Sequence, residues 1–307
     1  MIQVHAVSKK FEDFVALDKV SCQIEEGCIY GMVGSNGAGK STFLRVLAGI
    51  YRTDEGVVNY DGKEVYENSS VKENIVYVGD ELFFLAGANM ERMAKLYASV
   101  YERFDYERFK YLVSVFGLDS KKSIQGFSKG MKRQVATILA LSTKAKYMFF
   151  DETFDGLDPV MRNLVKKCIC SDVLEYHTTA IITSHSLREL EDICDHLALL
   201  HRGGMVLDSD VIDLKTARFK VQIGFREEFN EELFEGMQIA RFKKQGSVAS
   251  MIVNGDREET VAKLEQLHPA LLDVLPLSLE EIFTYEMEAL GYAFDEIDWT
   301  AERGMDS

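Results

Sequence analysis

Gly34-Ser35-Asn36-Gly37-Ala38-Gly39-Lys40-Ser41-Thr42 has the residue types and spacing of a phosphate-binding loop, G-x-x-x-x-G-K-S. Its glycines let the backbone fold tightly around an anion with N–H groups turned inward. A helix opening behind the loop adds unpaired N–H groups and the positive end of its dipole. Lys40 is spaced to reach β- and γ-phosphates as a point charge, and the Ser41 hydroxyl to ligand Mg²⁺. A second piece of chemistry is Asp151-Glu152, two carboxylates that end the apolar run Tyr147-Met148-Phe149-Phe150. Alone, such a fragment is a strand with an acidic end. Beside a phosphate loop, the first carboxylate suits the metal shell and the second can orient or deprotonate water. His185 follows another apolar run; a lone histidine is more often structural, but one ending a parallel strand points toward the ligand edge of a sheet. Ser128, between Gly126 and Gly130, opens a further helical stretch and is again an anion-binding arrangement. Phe11, in the polar stretch from Lys9 to Phe14, either stacks on a nucleobase or packs on a strand end; this stretch alone leaves both open.

These residues need strands and helices to hold them. Cys28 to Val33 is a short apolar run suited to a buried strand ahead of the loop, and Ser41 to Ile50 has helical periodicity behind it. Gln3 to Val7 and Val20 to Ile24 alternate as strands, with Lys9 to Phe14 as a polar connection. Val57 to Tyr60 and Lys63 to Tyr66 flank Asp61-Gly62, a tight-turn signal. Asn74 to Val78 is a strand that ends at Gly79-Asp80-Glu81. Residues 88–142 are helical in pattern, with Gly117 as a stop. Pro159 begins a helix expected to run through Cys170. Thr179 to Thr183 is a strand, Leu187 to Cys194 a helix, and Leu197 to Leu207 a closing hairpin. Beyond residue 210 the pattern changes to a small α+β module. It has strands from Ala217 to Phe225, Ile239 to Lys243 and Val248 to Val253, and helices from Glu258 to Leu267 and Leu279 to Leu290. An acidic tail with Asp295, Glu296, Asp298, Glu302 and Asp306 follows.

The 307 residues suit one large domain with an appendage or two domains, and 47% hydrophobic residues is ample for a core. A net charge of −15 argues against general binding to nucleic-acid backbones. The chain starts straight into an alternating strand, so no signal peptide is expected, and no apolar run approaches the roughly 20 residues of a spanning helix. A soluble, cytoplasmic chain follows as the expectation. The five cysteines form no zinc-like set, and buried reduced thiols are expected.

Taken in order, residues 1 to about 210 resemble the nucleotide-binding subunit of ABC-type transporters. Gly34 to Thr42 matches the family's Walker A motif, and Phe11 falls at its adenine-stacking aromatic. Phe127-Ser128-Lys129-Gly130-Met131 matches the signature motif, usually LSGGQ, at its serine and second glycine. Asp151 and Glu152 match the end of Walker B, Gly156-Leu157-Asp158 the D-loop, and His185 the switch histidine. The resemblance implies an α/β P-loop NTPase of ABC type: a RecA-like core with an antiparallel β subdomain and a helical subdomain at about 88–142. The module at 211–307 carries no motif.

Three positions depart from the family. Asp80 stands at the Q-loop glutamine; an aspartate can ligand Mg²⁺ but is one methylene shorter and cannot donate a hydrogen bond. Lys129 and Met131 replace glycine and glutamine in the signature. Thr153-Phe154 replaces Pro-Thr after the catalytic glutamate.

The resemblance implies ATP and Mg²⁺ as ligands, sandwiched between two chains, because each site takes its phosphate loop from one chain and its signature from the other. In that scheme Phe11 stacks on adenine, and Gly34, Asn36, Gly37, Ala38, Gly39, Lys40 and Thr42 hold the phosphates. Ser41 and Asp151 arrange Mg²⁺ with Asp80 near it. Glu152 polarises water, and His185 contacts the γ-phosphate. Ser128 and Gly130 close over the facing nucleotide, and Asp158 lies at the dimer seam. The partners implied are a like or similar ATP-binding subunit and a separately encoded membrane permease, with the chain peripheral at the inner membrane face. The permease would dock near Asp80 to Leu85 and Met90 to Tyr101. An exporter is the direction this resemblance favours. The alternative is a soluble ABC ATPase acting on a ribosome or nucleic-acid assembly; the single phosphate loop and the −15 charge disfavour it.

Overall fold

Alternating burial builds the first sheet. Ile2, Val4 and Val7 are buried in β1 (Ile2–Phe11), and Leu17, Val20 and Ile24 in β2 (Phe14–Ile24), as in strands with one face on a core. The step from Val4 to Val7 is three residues because a bulge lies between them, with Ala6 at φ 44°. The two strands run on to a tight turn at Glu12-Asp13, where Phe11 pairs with Phe14; the polar connection expected at Lys9 to Phe14 is therefore mostly strand. The computed structural model describes residues 1–216 and 218–289. The chain divides at residue 210 into two compact units, Met1–Asp210 and one beginning at Val211.

In the first unit, β3 (Ile29–Val33) is buried along its whole length and leads into α1 (Lys40–Leu47). Then come β4 (Glu55–Tyr60), β5 (Lys63–Glu64), α2 (Ser69–Lys72) and β6 (Ile75–Val78). Three helices follow: α3 (Met90–Val100), α4 (Tyr106–Val115) and α5 (Lys129–Ser142). Each opens on a side-chain cap, from Asn89, Asp105 and Ser128 respectively. The unit closes with β7 (Tyr147–Asp151), α6 (Pro159–Tyr176), β8 (Thr179–Ser184), α7 (Leu187–Leu190), β9 (His196–His201) and β10 (Gly204–Asp210).

Two sheets result. The antiparallel one has the order β2-β1-β4-β5. The other has the order β10-β9-β3-β8-β7-β6 and is parallel except for β10 at its edge. Phe43, Leu44 and Leu47 of α1 share one core with Ile2 and Ile24 of the first sheet and Met32 and Phe149 of the second. The ends of β3, β7 and β8 all meet one edge of the parallel sheet, which is where such sheets place ligands.

Three helix limits in this unit differ from expectation. α1 stops at Leu47, not Ile50. α6 runs to Tyr176 instead of Cys170, because no breaker intervenes before His177, which takes the left-handed φ of 53°. α7 has four residues only; beyond it the N–H groups of Ile193 and Cys194 both turn back to the Leu190 carbonyl. That tight turn brings the Asp195 carboxylate to the Ile29 N–H at 2.8 Å. Among the described residues no helix is long and apolar enough to cross a membrane.

The second unit begins with α8 (Val211–Thr216) and continues with β11 (Arg218–Gly224), β12 (Ile239–Gln245), β13 (Val248–Asn254), α9 (Arg257–Glu265), β14 (Leu271–Pro276) and α10 (Leu279–Ala289). Its strands form an antiparallel sheet in the order β12-β13-β11-β14. Phe219, Val221, Ile223, Met251 and Val253 pack with Phe234 and Leu264 on its apolar face. β14 is not among the expected strands; it lies at the sheet edge with all its residues exposed or half-buried, and it ends in a proline. Ala217 and the tail residues Asp295, Glu296, Asp298, Glu302 and Asp306 lie outside the described residues.

Candidate functional site

The loop between β3 and α1 is drawn against its neighbours so closely that side chains are excluded. A Cβ on Gly34 would stand 2.3 Å from the Leu200 carbonyl oxygen, and one on Gly39 2.4 Å from that of Ala16. The loop then opens into a cleft lined by Asn36, Gly37, Ala38, Gly39, Lys40, Ser41 and Thr42, with Phe14, Ala16, Asp80 and Glu152 around it. The N–H groups of the first turn of α1 have no carbonyl within the helix and face the loop.

Lys40 is 5% exposed. Its ammonium donates to the Gly34 carbonyl at 2.7 Å and the Ser35 carbonyl at 3.3 Å, and lies 3.2 Å from Glu152 Oε1. The other oxygen of Glu152 meets His185 Nδ1 at 2.8 Å and the His185 backbone N–H at 3.3 Å. Glu152 thus bridges the phosphate-loop lysine and the histidine that follows β8. Its backbone takes φ 47°, a costly region for a non-glycine residue.

A hydroxyl holds this strained position. Thr183 Oγ1 accepts the Glu152 N–H at 3.1 Å and donates to Asp151 Oδ1 at 2.7 Å. The second oxygen of Asp151 accepts from the Tyr77 hydroxyl at 3.1 Å. Burial and the nearby Asp151 carboxylate push the Tyr77 phenol up, so it stays a donor. Asp151 itself is fully buried and does not line the cleft. The sequence alone does not single out Thr183 or Tyr77; each meets Asp151 across a neighbouring strand of the parallel sheet.

Two expected residues sit differently from expectation. Phe11 does not line the cleft. It packs edge-on against Tyr51 at 5.3 Å with the Lys9 ammonium 5.5 Å from its ring. Phe14, its cross-strand partner, is the aromatic at the cleft and is 60% exposed. Asp80 does line the cleft, but its carboxylate is ion-paired with the guanidinium of Arg133 on α5.

Ser128, Gly130 and Asp158 are not brought to this cleft. Ser128 Oγ accepts from the Met131 N–H at 3.2 Å and caps α5. Gly130 lies against the D-loop stretch: a Cβ there would be 2.7 Å from the Gly156 carbonyl oxygen. Lys129 pairs with Asp155 at 2.6 Å, so its charge is engaged within the chain. Asp158 accepts from the N–H groups of Val160 and Met161 and caps α6. Beside Asp80, an apolar groove is lined by Leu82, Phe83, Phe84, Met93, Leu96 and Tyr97, and Phe83 is 75% exposed.

Known proteins resemble this chain in sequence and in fold. Residues 17–155 match the family model described as ABC transporter. The chain is 29% identical to the ABC transporter ATP-binding protein YtrB of Bacillus subtilis, covering 92% of this chain and 97% of that protein. It is 30% identical to an uncharacterized ABC transporter ATP-binding protein of Methanocaldococcus jannaschii, covering 69% of this chain and 79% of that one. It is 29% identical to the methionine import ATP-binding protein MetN of Clostridium tetani, covering 92% and 94%. Among solved structures, the dimeric ATP-binding cassette MJ0796 bound to ADP and Pi superposes with a TM-score of 0.62 at 18% identity, over 69% of this chain and 99% of that one. With a nucleotide loop, a paired-carboxylate strand end and a histidine assembled at one sheet edge, the chain belongs to the ABC transporter ATP-binding proteins and is an ATP-hydrolysing subunit of that family.

Proposed function

We propose that this chain binds ATP with Mg²⁺ in the cleft at the phosphate loop, hydrolyses it as one half of a dimer, and drives a separately encoded membrane permease. The observation that carries this is Glu152, held between Lys40 at 3.2 Å and His185 at 2.8 Å beside the loop. In this reading Gly34, Asn36, Gly37, Ala38, Gly39, Lys40 and Thr42 bind the phosphates. Glu152 orients and deprotonates the attacking water, and His185 holds Glu152 and meets the γ-phosphate. Phe14, at the cleft, takes the base-stacking part in place of Phe11.

The donor set fits a divalent cation brought in with the nucleotide. Asp80, Asp151 and Glu152 outnumber Lys40 and Arg133 around the loop, so a polyanion needs added positive charge there. Among the described residues no group of three or more His, Cys, Asp or Glu is arranged to hold a metal alone. Ser41 would ligate the ion together with phosphate oxygens, and Asp151, buried behind the cleft, would act through its outer shell. Bound Mg²⁺ would neutralise charge on the β- and γ-phosphates.

Ser128 and Gly130 lie apart from the chain's own phosphate loop and are free to close over a facing chain's nucleotide, with Asp158 at the seam. The apolar groove at Phe83 suits a permease helix. Export is the direction we propose, on the Asp80 and Phe127-to-Met131 resemblance; an import ATP-binding protein stands among the relatives. Nucleic acid is not a partner in this reading, consistent with the −15 charge. The test is capture from detergent-solubilised membranes with Glu152→Gln, ATP and Mg²⁺. Recovery of a multi-spanning protein is expected. Recovery of ribosomal proteins or nucleic acid without one would overturn the transporter role.

A further inference from the structure

Arg133 is the largest fully buried side chain among the described residues. From the first turns of α5 its guanidinium reaches three pieces of the site. Nη1 donates to the Gly79 carbonyl at 3.0 Å and the Asp151 carbonyl at 3.4 Å, and Nη2 pairs with the Asp80 carboxylate. Nε has no hydrogen-bond partner. The carbonyls supply dipoles but no counter-charge, and a buried cation without one is costly. Asp80 supplies it. Yet the Asp80 side chain is 53% exposed and lines the same cleft as Lys40, Ser41 and Glu152. One carboxylate therefore stands between a buried cation and the place where the cation of a nucleotide complex would sit.

We propose that Asp80 and Arg133 form a latch in which Arg133 holds the Asp80 carboxylate back from the nucleotide's divalent cation and thereby lowers the affinity of the site for that cation. The proposal rests on the nucleotide reading above and deepens it. Drawing Asp80 toward the metal leaves Arg133 with two carbonyls and no carboxylate in contact, only the longer-range pull of Asp155, which is itself paired with Lys129, and the cost of that poorly covered charge is subtracted from metal binding. The exchange also moves Asp80, at the start of the loop that carries Phe83 and Phe84, while Arg133 keeps its hold on the Gly79 carbonyl next to it. Arg133 is a positioning residue: it acts through Asp80 and touches no substrate.

The test is the Mn²⁺ concentration that half-saturates the protein's complex with a non-hydrolysable ATP analogue. It is read from the electron paramagnetic resonance of free Mn²⁺ with protein in excess over analogue. Arg133→Gln keeps amide donors for the carbonyls and removes the charge. It is expected to tighten Mn²⁺ by about tenfold, the equivalent of ~1.4 kcal/mol. In an Asp80→Asn background the same change is expected to do nothing, because the amide side chain carries no charge to hold back. Arg133→Lys keeps the charge and is expected to stay near wild type. Unchanged or weaker Mn²⁺ binding in Arg133→Gln, or an equal gain in the Asp80→Asn background, overturns the latch. If Arg133→Gln does not fold, the wild-type chain decides. Amide hydrogen exchange at residues 79–85, with analogue present, should differ with and without Mg²⁺, and identical exchange overturns the proposal. A wild-type chain that takes up no analogue overturns the nucleotide reading and the latch together; normal uptake with an unchanged variant overturns the latch alone.

Discussion

Thr183→Val removes one hydroxyl from the interior and leaves the side-chain volume nearly intact. Thr183 is fully buried, and its Oγ1 is shared by the Glu152 N–H at 3.1 Å and Asp151 Oδ1 at 2.7 Å. The bond to the Asp151 carboxylate contributes about 1.5–3 kcal/mol, and an N–H left without its acceptor costs roughly a further 1 kcal/mol. The loss is thus about 2.5–4 kcal/mol. For a unit the size of Met1–Asp210 this lowers the melting temperature by roughly 5–15 °C. Catalysis should suffer beyond stability. Glu152 sits at φ 47° and the Thr183 bond helps pin it there; once freed, its carboxylate drifts from Lys40 and His185. A displacement of about 1 Å costs on the order of a hundredfold in turnover. The assay is ATP turnover at a temperature where the variant is folded, alongside a thermal melt. Thr183→Ser restores the hydroxyl and should restore both. A valine variant that melts within about 2 °C of wild type and turns over normally would refute the claim that this hydroxyl holds the site.

Two further outcomes follow from other parts of the chain. Phe14→Ala should weaken nucleotide binding by roughly tenfold or more, the value of a stacked base, while Phe11→Ala should have the smaller effect; fluorescent-nucleotide titration of both decides which aromatic serves. His196 stacks on Tyr30 at 5.0 Å, and its hydrogen bonds to the flanking Asp208 and Asp210 carboxylates raise its pKa. Its folded value lies above the unfolded one, so its stabilisation is present in full below about pH 6.5 and is lost as pH rises through the raised value. His196→Phe keeps the stack and should flatten that part of the melting-temperature profile.

The nucleotide loop was legible because its chemistry is local: glycines, Lys40 and Ser41 lie within one strand–turn–helix, and each spacing has a mechanical reason. The acidic end of β7 was legible for the same reason. What stayed hidden is set by topology. Arg133 meets Asp80 across 53 positions, Thr183 meets Asp151 across 32, and Tyr77 meets it across 74. No local pattern marks such partners: Arg133 follows Lys129 and Lys132 on the same helix, and only the fold shows that it is the one buried. Phe11 and Phe14 were indistinguishable as aromatics in a polar stretch. The turn at Glu12-Asp13, which keeps both on strand ends, decides which one faces the cleft. Helix lengths failed where nothing in the sequence stops or starts a turn, as at the C-terminal end of α6.

In the proposed mechanism two chains close around ATP. Light scattering on Glu152→Gln tests this directly, since the variant keeps the phosphate loop and lacks the carboxylate proposed to activate water. The predicted result is a monomer without nucleotide and a doubled mass with ATP and Mg²⁺. A chain that binds ATP and Mg²⁺ with its phosphate loop and still remains a monomer would contradict the shared site.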